Sequence, residues 1–514
     1  MASVKISDLP AAAALAGDEV LPVVQNGATK RATMADVAAL ASANAGTFNA
    51  VASGGAWVTR DLATLSYALS FTAGSGTIDG RPVTWDAATV TTPAENALIV
   101  VNAAGTIVAR AAGYPEPLPS ATELVLARTY VDIPTYGARI YAVIDSRTYS
   151  TGSPRAPLGL LDRVKAAKIT SGTWSGATAL NDIGDINWYF ANLGLYPFVE
   201  DVPTQVLDHL NIQITAFYGA SGTASTDWTT LHGTTHSGYQ KWPYDVATPR
   251  ATPVKKRADS HDSYAATFLR LAVRYARVAS GGLTWWDTNI TAIQDCLYYN
   301  ILLRQRNTGG GYLTETFQDA TVYPYCQTMD NIEVYAGTKA ALDLMTERGG
   351  AQATWAAGYS SAASNLLLGV QTMWKTTANA AGETGWMSVR WDNAAASADT
   401  NQMTRFYPDL AVGVYGEVFG VALNSASSIA RERLITTLGY LDAKAPSWWR
   451  SRQYDLFPWG LLAAAAAKMG LRATAQEWLA FVQRHVALDG TGYFLIQDVG
   501  WARYVERTLS GDVL

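Results

Sequence analysis

The chain is poor in the residues that announce most chemistries. Its 514 residues include two cysteines, Cys296 and Cys326, and five histidines. Two thiols cannot build a disulfide framework and supply at most half of a thiolate metal site, so they are expected as small buried apolar side chains. Charged residues make up only 16 %, with 38 Lys and Arg against 43 Asp and Glu and a net charge of −5. Without a basic stripe the electrostatic footprint of general nucleic-acid binding is missing. The most apolar helical run, GLLAAAAAKMG at 460–470, falls well short of the roughly 20 residues that span a bilayer, so a soluble protein is expected. The start, MASVKISDLPAAAALAGDEVLPVV, has one Lys, a Pro at position 10 and acids at 18 and 19. That is not the layout of a secretory signal, and export by that route is not expected. No Gly-rich phosphate loop, Gly-x-Ser-x-Gly elbow or Cys/His nucleophile pattern stands in a fitting context, which ranks phosphoryl transfer and ester hydrolysis low.

What is abundant is apolar and aromatic. Hydrophobic residues are 49 % of the chain, enough for a sizeable core, and its length exceeds one ordinary compact domain. The 17 Trp and 26 Tyr offer the flat faces against which sugar rings lie, besides filling a core.

Three textures follow one another. Residues 1–45 hold a short strand, turn and strand (Val20 to Val24, turn at Asn26-Gly27) and then a small helix opened by Thr33. A unit this small cannot bury its own core, so it is expected to dock on something. Its runs KISDLP, GDEVLPVV and TKRATMADV resemble the N-terminal attachment segment of tailspike and tail-fibre proteins of tailed bacteriophages. The resemblance covers that first segment only. It implies a place in a virion tail, acting outside the host cell, with phage tail or baseplate proteins as partners and a homotrimeric assembly.

Residues 46–150 alternate short apolar runs, such as TIDGRPVTW and ELVLARTYV, with Gly, Pro and Asn. This period-two pattern predicts an antiparallel β spacer or stalk, and it resembles the small β modules between the anchor and the working end of phage tail proteins. From 155 to 514 the periodicity is helical. Amphipathic segments pair as 258–279 with 283–305, 328–347 with 351–376, 405–424 with 427–443 and 454–469 with 471–487, with a further pair within 184–218. Such pairs without a fixed repeat length predict an (α/α)6 toroid rather than a solenoid. The expected fold is therefore multidomain: an attachment segment, a β spacer and a mainly α toroid carrying the chemistry.

If the first helix of each pair is the inner one, the inner starts read DIGDINWYF, ADSHDSYAATF, TMDNIEVYAG, FYPDLAVGVYG and QYDLFPWG, each with an aspartate. Aspartate is a favoured helix cap, so any one of these is first a cap, and Asp330-x-x-Glu333 even has capping-box spacing. Parallel inner helices would nevertheless gather their acids at one end, and cleaving a glycosidic bond needs two carboxyl groups flanking it. The candidate catalytic acids are Asp262, Glu333, Asp259, Asp330, Asp409, Asp455 and Glu417. Asp259 is expected to cap, and Asp262 to act as base or nucleophile with its pKa lowered by the helix N-terminus. Glu333, between Ile332 and Val334, ranks first as the general acid, its pKa raised by apolar surroundings, and Glu417 second. The ADSHDSYAATF start resembles the acid-rich inner-helix starts of six-hairpin glycoside hydrolases such as the family-eight cellulases and chitosanases and the unsaturated glucuronyl hydrolases. The S-E-G-x-x-Y-G segment that carries the acid in family eight has no counterpart, so neither that acid nor that substrate carries over.

Candidate sugar-binding residues are Tyr239, Trp242, Tyr264, Tyr335, Trp391, Tyr407, Trp448, Trp449, Arg257 and His261. Arg257 closes a run with Lys241, Arg250, Lys255 and Lys256 that suits an anionic sugar. His232 and His236 have the i,i+4 spacing of a zinc helix but a Gly-Thr-Thr interior and no Glu, so no metal and no cofactor is expected. The expected function is a phage tailspike depolymerase that hydrolyses a bacterial surface polysaccharide. A lyase on the same fold would use His236 or His261 with Tyr239 or Tyr264 on a uronic acid, and a non-catalytic receptor-binding protein would grip the glycan without cutting it.

Overall fold

The computed structural model describes residues 20–25, 28–33, 50–54, 57–60, 68–78, 81–92, 97–111, 122–131, 140–145, 159–180, 184–218, 244–247, 254–318, 321–380, 382–399, 406–421, 459–489 and 495–512. The hairpin expected near the start is present: Val20–Gln25 pairs antiparallel with Ala28–Thr33, with Gln25 opposite Ala28. The helix expected after Thr33 lies outside the described residues.

Between 50 and 145 every described strand pair is antiparallel. The largest sheet runs Ile107–Ala111, Ala97–Asn102, Glu123–Val131, Ile140–Asp145 in spatial order. Its strand ALIVVN is buried almost throughout because alternate side chains enter two different clusters. Ile99 and Val101 pack with Leu69, Phe71, Trp85, Leu124 and Leu126, whereas Leu98 and Val100 pack with Val125 on the other face.

From 159 onward the chain is mainly helical, with small antiparallel sheets at the helix starts. The helices are α1 Leu160–Ala166, α2 Trp188–Leu195, α3 Pro203–Gln213, α4 His261–Val278, α5 Gly282–Thr288, α6 Ile290–Asn300 and α7 Thr328–Arg348. They continue as α8 Gly350–Ala357, α9 Ala362–Thr372, α10 Val412–Val418, α11 Gly460–Lys468, α12 Arg472–Asp489 and α13 Ile496–Leu509. Six of them close a ring: α2 touches α4, α4 touches α7, α7 touches α10, α10 touches α11, α11 touches α13, and α13 returns to α2. The others lie outside, with α3, α5 and α6 against α4, α8 and α9 against α7, α12 against α11 and α13, and α1 against α13.

An inner helix flanked by two ring neighbours and an outer layer has no face left for water, so it needs no amphipathic stripe. Accordingly α4 is buried without a break from His261 to Leu269 and α7 from Asn331 to Thr338. Close approach depends on glycine at two seams. A Cβ on Gly337 of α7 would stand 2.5 Å from the Ala266 carbonyl oxygen of α4, and one on Gly500 of α13 would stand 2.5 Å from Gly194 Cα of α2, where the ring closes.

Three expectations about helices are corrected. The partner of α7 is not one helix over 351–376 but α8 and α9, parted by a turn after Ala357 and followed by the strand Trp374–Lys375. The partner of α4 is not one helix over 283–305 but α5 and α6, which part at Asn289: its backbone leaves the helical region at φ −104° and ψ 10°, and its N–H donates to both the Trp285 and the Trp286 carbonyl at 3.1 Å. The last inner helix, α13, had no place in the expected pairs. It too begins with an aspartate: Asp498 accepts the Leu495 N–H at 3.0 Å. The partner expected at 427–443 lies outside the described residues. No described helix is long and apolar enough to cross a membrane.

Candidate active site

Short strands deliver the inner helices to a common end. Asp185–Ile186, Tyr244–Ala247 and Val254–Arg257 form one sheet whose outer strands lead into α2 and α4. Tyr325–Gln327, paired with Arg390–Asp392, leads into α7. Caps fall on residues other than those expected. Asn187 caps α2, accepting the Phe190 N–H at 2.8 Å. The capping position of α4 is Ser260, which places Asp259 one residue before it and Asp262 in the first turn. Helix α7 starts at Thr328 after Gln327, so Asp330 lies inside the first turn and Asp330-x-x-Glu333 is not a capping box.

Four carboxyl groups meet where α4 and α7 begin. Ser260 Oγ lies 2.5 Å from Asp262 Oδ1 and 2.8 Å from Asp330 Oδ2. Asp330 Oδ2 also accepts from Thr316 Oγ1 at 3.3 Å, and the Gln327 N–H donates to that same Thr316 oxygen at 3.2 Å. Glu333, one turn further on, accepts from Tyr189 at 2.6 Å and Tyr415 at 2.7 Å on Oε1, and from Ser263 on Oε2. The two phenol oxygens are themselves 2.9 Å apart. Glu333 thus ties together α2, α4, α7 and α10. Asp259 is held through Tyr264, whose hydroxyl donates to it and accepts from Asn187 Nδ2 at 2.9 Å.

Burial, rather than the helix dipole, sets the protonation of these groups. Asp262 is fully buried, and desolvation followed by the Asp330 charge pushes its carboxyl well above the usual range. The expectation of a lowered pKa there is overturned: a helix N-terminus contributes about 1 kcal/mol, which does not offset removal of a carboxylate from water beside a second one. Desolvation raises Asp330 to about 7, with the Asp259 charge adding to the rise against the Ser260 and Thr316 hydrogen bonds. Desolvation raises Glu333 to about 8 despite its three hydroxyl donors. Tyr189 and Tyr415 are held protonated by burial and then by the Glu333 carboxyl. Asp259 differs in exposure: solvent reaches it, yet enough protein surrounds it that desolvation still raises its pKa.

Among the other expected residues, Tyr264 and His261 stand beside the carboxyl groups. Asp409 is buried in the turn Phe406–Leu410. Glu417, second choice for the acid, sits toward the far end of α10, where Lys468 Nζ is 3.5 Å from its carbonyl oxygen and feels its charge. His261 is fully buried, edge-on to Phe317 at 4.8 Å, with its pKa driven well down by burial. Tyr264 and Tyr335 are buried as well, so neither presents a ring to a substrate. The lyase pairing of His261 with Tyr264 is therefore not supported. Arg257 lies in its strand opposite Tyr244. Asp455, Tyr239, Trp242, Trp448 and Trp449, with His232 and His236, lie outside the described residues.

Aromatic faces stand around the carboxyl groups. Tyr407 is 48 % exposed, its ring 5.1 Å from that of Trp459, and it lies close enough to Tyr415 to raise that phenol's pKa. Tyr323 and Tyr325 stack at 5.6 Å with the Arg390 guanidinium 5.1 Å from the Tyr325 ring centroid, and Trp391 is half-buried beside them on the same strand as Arg390. The Thr316 N–H, on the residue that reaches Asp330, donates to the Tyr325 carbonyl at 3.4 Å. Tyr189, Tyr415, Ser260, Ser263 and Thr316 had no role in the sequence reading, although Tyr189 and Tyr415 stand within its inner-helix starts. Among the described residues no group of three or more His, Cys, Asp or Glu is placed to hold a metal ion. The chemistry available is proton transfer between carboxyl groups and a bound polar substrate.

No family model matches this chain, and no curated protein does. Solved structures similar to it include a rhamnosidase from Klebsiella oxytoca with rhamnose bound, at 11 % identity over 95 % of this chain and 94 % of that one, with a TM-score of 0.42. A glycoside hydrolase family 15 glucoamylase from Hypocrea jecorina matches at 11 % identity over 69 % and 71 %, TM-score 0.41. A D-mannose isomerase matches at 12 % identity over 68 % and 96 %, TM-score 0.40. Two of these act on glycosidic bonds by name and one does not, and likenesses this slight carry no argument about the reaction of this chain.

Proposed function

We propose that this chain hydrolyses glycosidic bonds in a polysaccharide, with Asp330 as proton donor and Asp259 as base or nucleophile. The supporting observation is access. Of the acids expected to react, Asp262, Glu333, Asp409 and Glu417 are all buried, whereas Asp259 is exposed and Asp330 half-buried. A carboxyl raised to about 7 holds a transferable proton at neutral pH, as a general acid must. Asp330 gives that proton to the leaving glycosidic oxygen as the bond to the anomeric carbon breaks. Asp259, ionised, either attacks that carbon or takes a proton from the water that does. Glu333 touches no substrate in this scheme; bound by three hydroxyls from three other helices, it holds the helix starts in register. Tyr407 with Trp459, and Tyr323 with Tyr325 and Arg390, supply stacking faces and a cation for the sugar chain.

The target in this proposal is a bacterial capsule or exopolysaccharide. Residues 1–45 attach the protein to a phage tail and 46–150 form the spacer, in a homotrimer acting outside the host cell. The test is incubation of the full chain with purified bacterial polysaccharides, followed by size-exclusion and reducing-end analysis. One polymer is expected to shorten, with new reducing ends and without the ultraviolet absorbance of an unsaturated uronate. Growth of that absorbance means elimination, and binding without shortening means a receptor-binding protein.

A further inference from the structure

One hydroxyl proton cannot serve two carboxylates. Ser260 Oγ stands 2.5 Å from Asp262 Oδ1 and 2.8 Å from Asp330 Oδ2, and serine has a single O–H to donate. Were both aspartates ionised, one contact would be oxygen against oxygen with no proton between them. At least one contact therefore contains the proton of a carboxylic acid. Surroundings decide which. Asp262 is 0 % exposed and its Oδ2 has no hydrogen-bond partner, so an anion there would be desolvated and half-satisfied. Asp330 is only half-buried, and its Oδ2 has a second donor in Thr316.

We propose that Asp262 is a permanently protonated positioning residue that donates from Oδ1 to Ser260, so that Ser260 donates to Asp330 Oδ2 and the transferable proton of Asp330 is confined to Oδ1. The inference rests on the reading of Asp330 as proton donor and names what orients it. When Asp330 releases its Oδ1 proton to the leaving oxygen, charge develops on Oδ2, where two hydroxyls already point, and neither has to rotate during transfer. No proton travels along the chain from Asp262, which solvent does not reach to refill. The groups facing this chain are Asp259 and His261 beside Ser260, Glu333 on α7, Arg304 and Glu315 from the segment between α6 and α7, and Cys326. Arg304 is buried with its guanidinium 3.6 Å from the Phe317 ring centroid, within electrostatic range of Glu315 and of the Asp262 carboxyl.

The test has an arm independent of activity. Infrared difference spectra of carboxyl-labelled aspartate protein, wild type minus Asp262→Asn, are expected to show a protonated carboxyl band at neutral and mildly alkaline pH that the variant lacks. In kinetics, Ser260→Ala removes a donor to the Asp330 anion and moves the alkaline limb of kcat to higher pH. Asp262→Ala lowers kcat about tenfold with KM held, a cost of disorder at the donor. Asp262→Asn, whose amide N–H can still donate to Ser260, rescues most of that loss. An ionised Asp262 in the spectra, or Asp262→Asn as inactive as Asp259→Asn, overturns the proposal. If no polymer is cut, the infrared arm still decides the state of Asp262, so failure of the functional reading and failure of this one are distinguishable.

Discussion

At the far ends of the inner helices carboxylates meet cations. Glu347 pairs with Arg277 at 2.6 Å, Asp287 with Arg348 at 2.5 Å, and Glu200 with both Arg274 and Arg507. At the starts of the same helices Asp262, Asp330 and Glu333 meet hydroxyls and one another, and none of them has an ion pair among the described residues. The consequences run in opposite directions. Against the desolvation that would raise it, hydrogen bonding to Arg507 and the Arg274 charge hold Glu200 below its ordinary pKa, and the Arg348 hydrogen bond lowers Asp287. The unpaired acids are all raised. One helix end is arranged for solvated ion pairs of small worth, the other for retaining protons in a place where stability alone would not put them.

The contrast breaks most sharply at the two reachable acids. Asp259→Asn and Asp330→Asn are each expected to lower kcat by about 10² to 10⁴ while leaving polymer binding intact, measured as initial rates of reducing-end release beside a binding isotherm. Next comes the seam beneath them. Gly337→Ala puts a methyl 2.5 Å from the Ala266 carbonyl oxygen, forces α4 from α7, and is expected to cost about 1–3 kcal/mol in urea unfolding. The same variant separates Ser260 from Asp330, so activity falls along with stability.

Protonation gives the third effect. Asp330 and Glu333 keep their protons to about 7 and about 8, while in the unfolded chain they ionise near the ordinary carboxyl values of 3.8 and 4.5. The folded state therefore binds more protons between those limits, and these groups make stability fall as pH rises from about 4 to about 8. The melting temperature is expected to fall across that range, less steeply in Asp330→Asn and Glu333→Gln. Glu200 and Asp287 act with the opposite sign, their contribution being present above their unfolded values and lost as acid protonates them in the folded state. The smallest effect belongs to the paired end: Arg277→Ala, which breaks an exposed bridge to Glu347, is expected to change stability by less than about 0.5 kcal/mol with no change in rate.

The sequence carried the acids, the helical texture beyond 155 and the antiparallel strands between 50 and 145, since each is a local pattern. It did not carry which acid of a pair is buried. With α4 capped at Ser260, Asp262 is buried in the first turn and Asp259 is left exposed before it; a shift of one residue in a helix start decides which side chain faces the interior. Nor did it carry the hydroxyl partners: Tyr189 and Tyr415 stand 144 and 82 positions from the Glu333 they bind. Helix α13 has 14 residues and a polar outer side, with Arg503 bridging to Asp201 and Glu506, yet it had no place in the expected pairs because no partner segment follows it within the 514 residues. Its packing against α2 and α11 is fixed only by ring closure.

The most direct test is made on whichever polysaccharide the wild-type chain shortens, by comparing cleavage and binding for Asp259→Asn, Asp330→Asn and Asp262→Asn. Binding retained by all three, with cleavage lost in the first two and largely kept in the third, is the predicted result. Cleavage by Asp259→Asn and Asp330→Asn at the wild-type rate would contradict it.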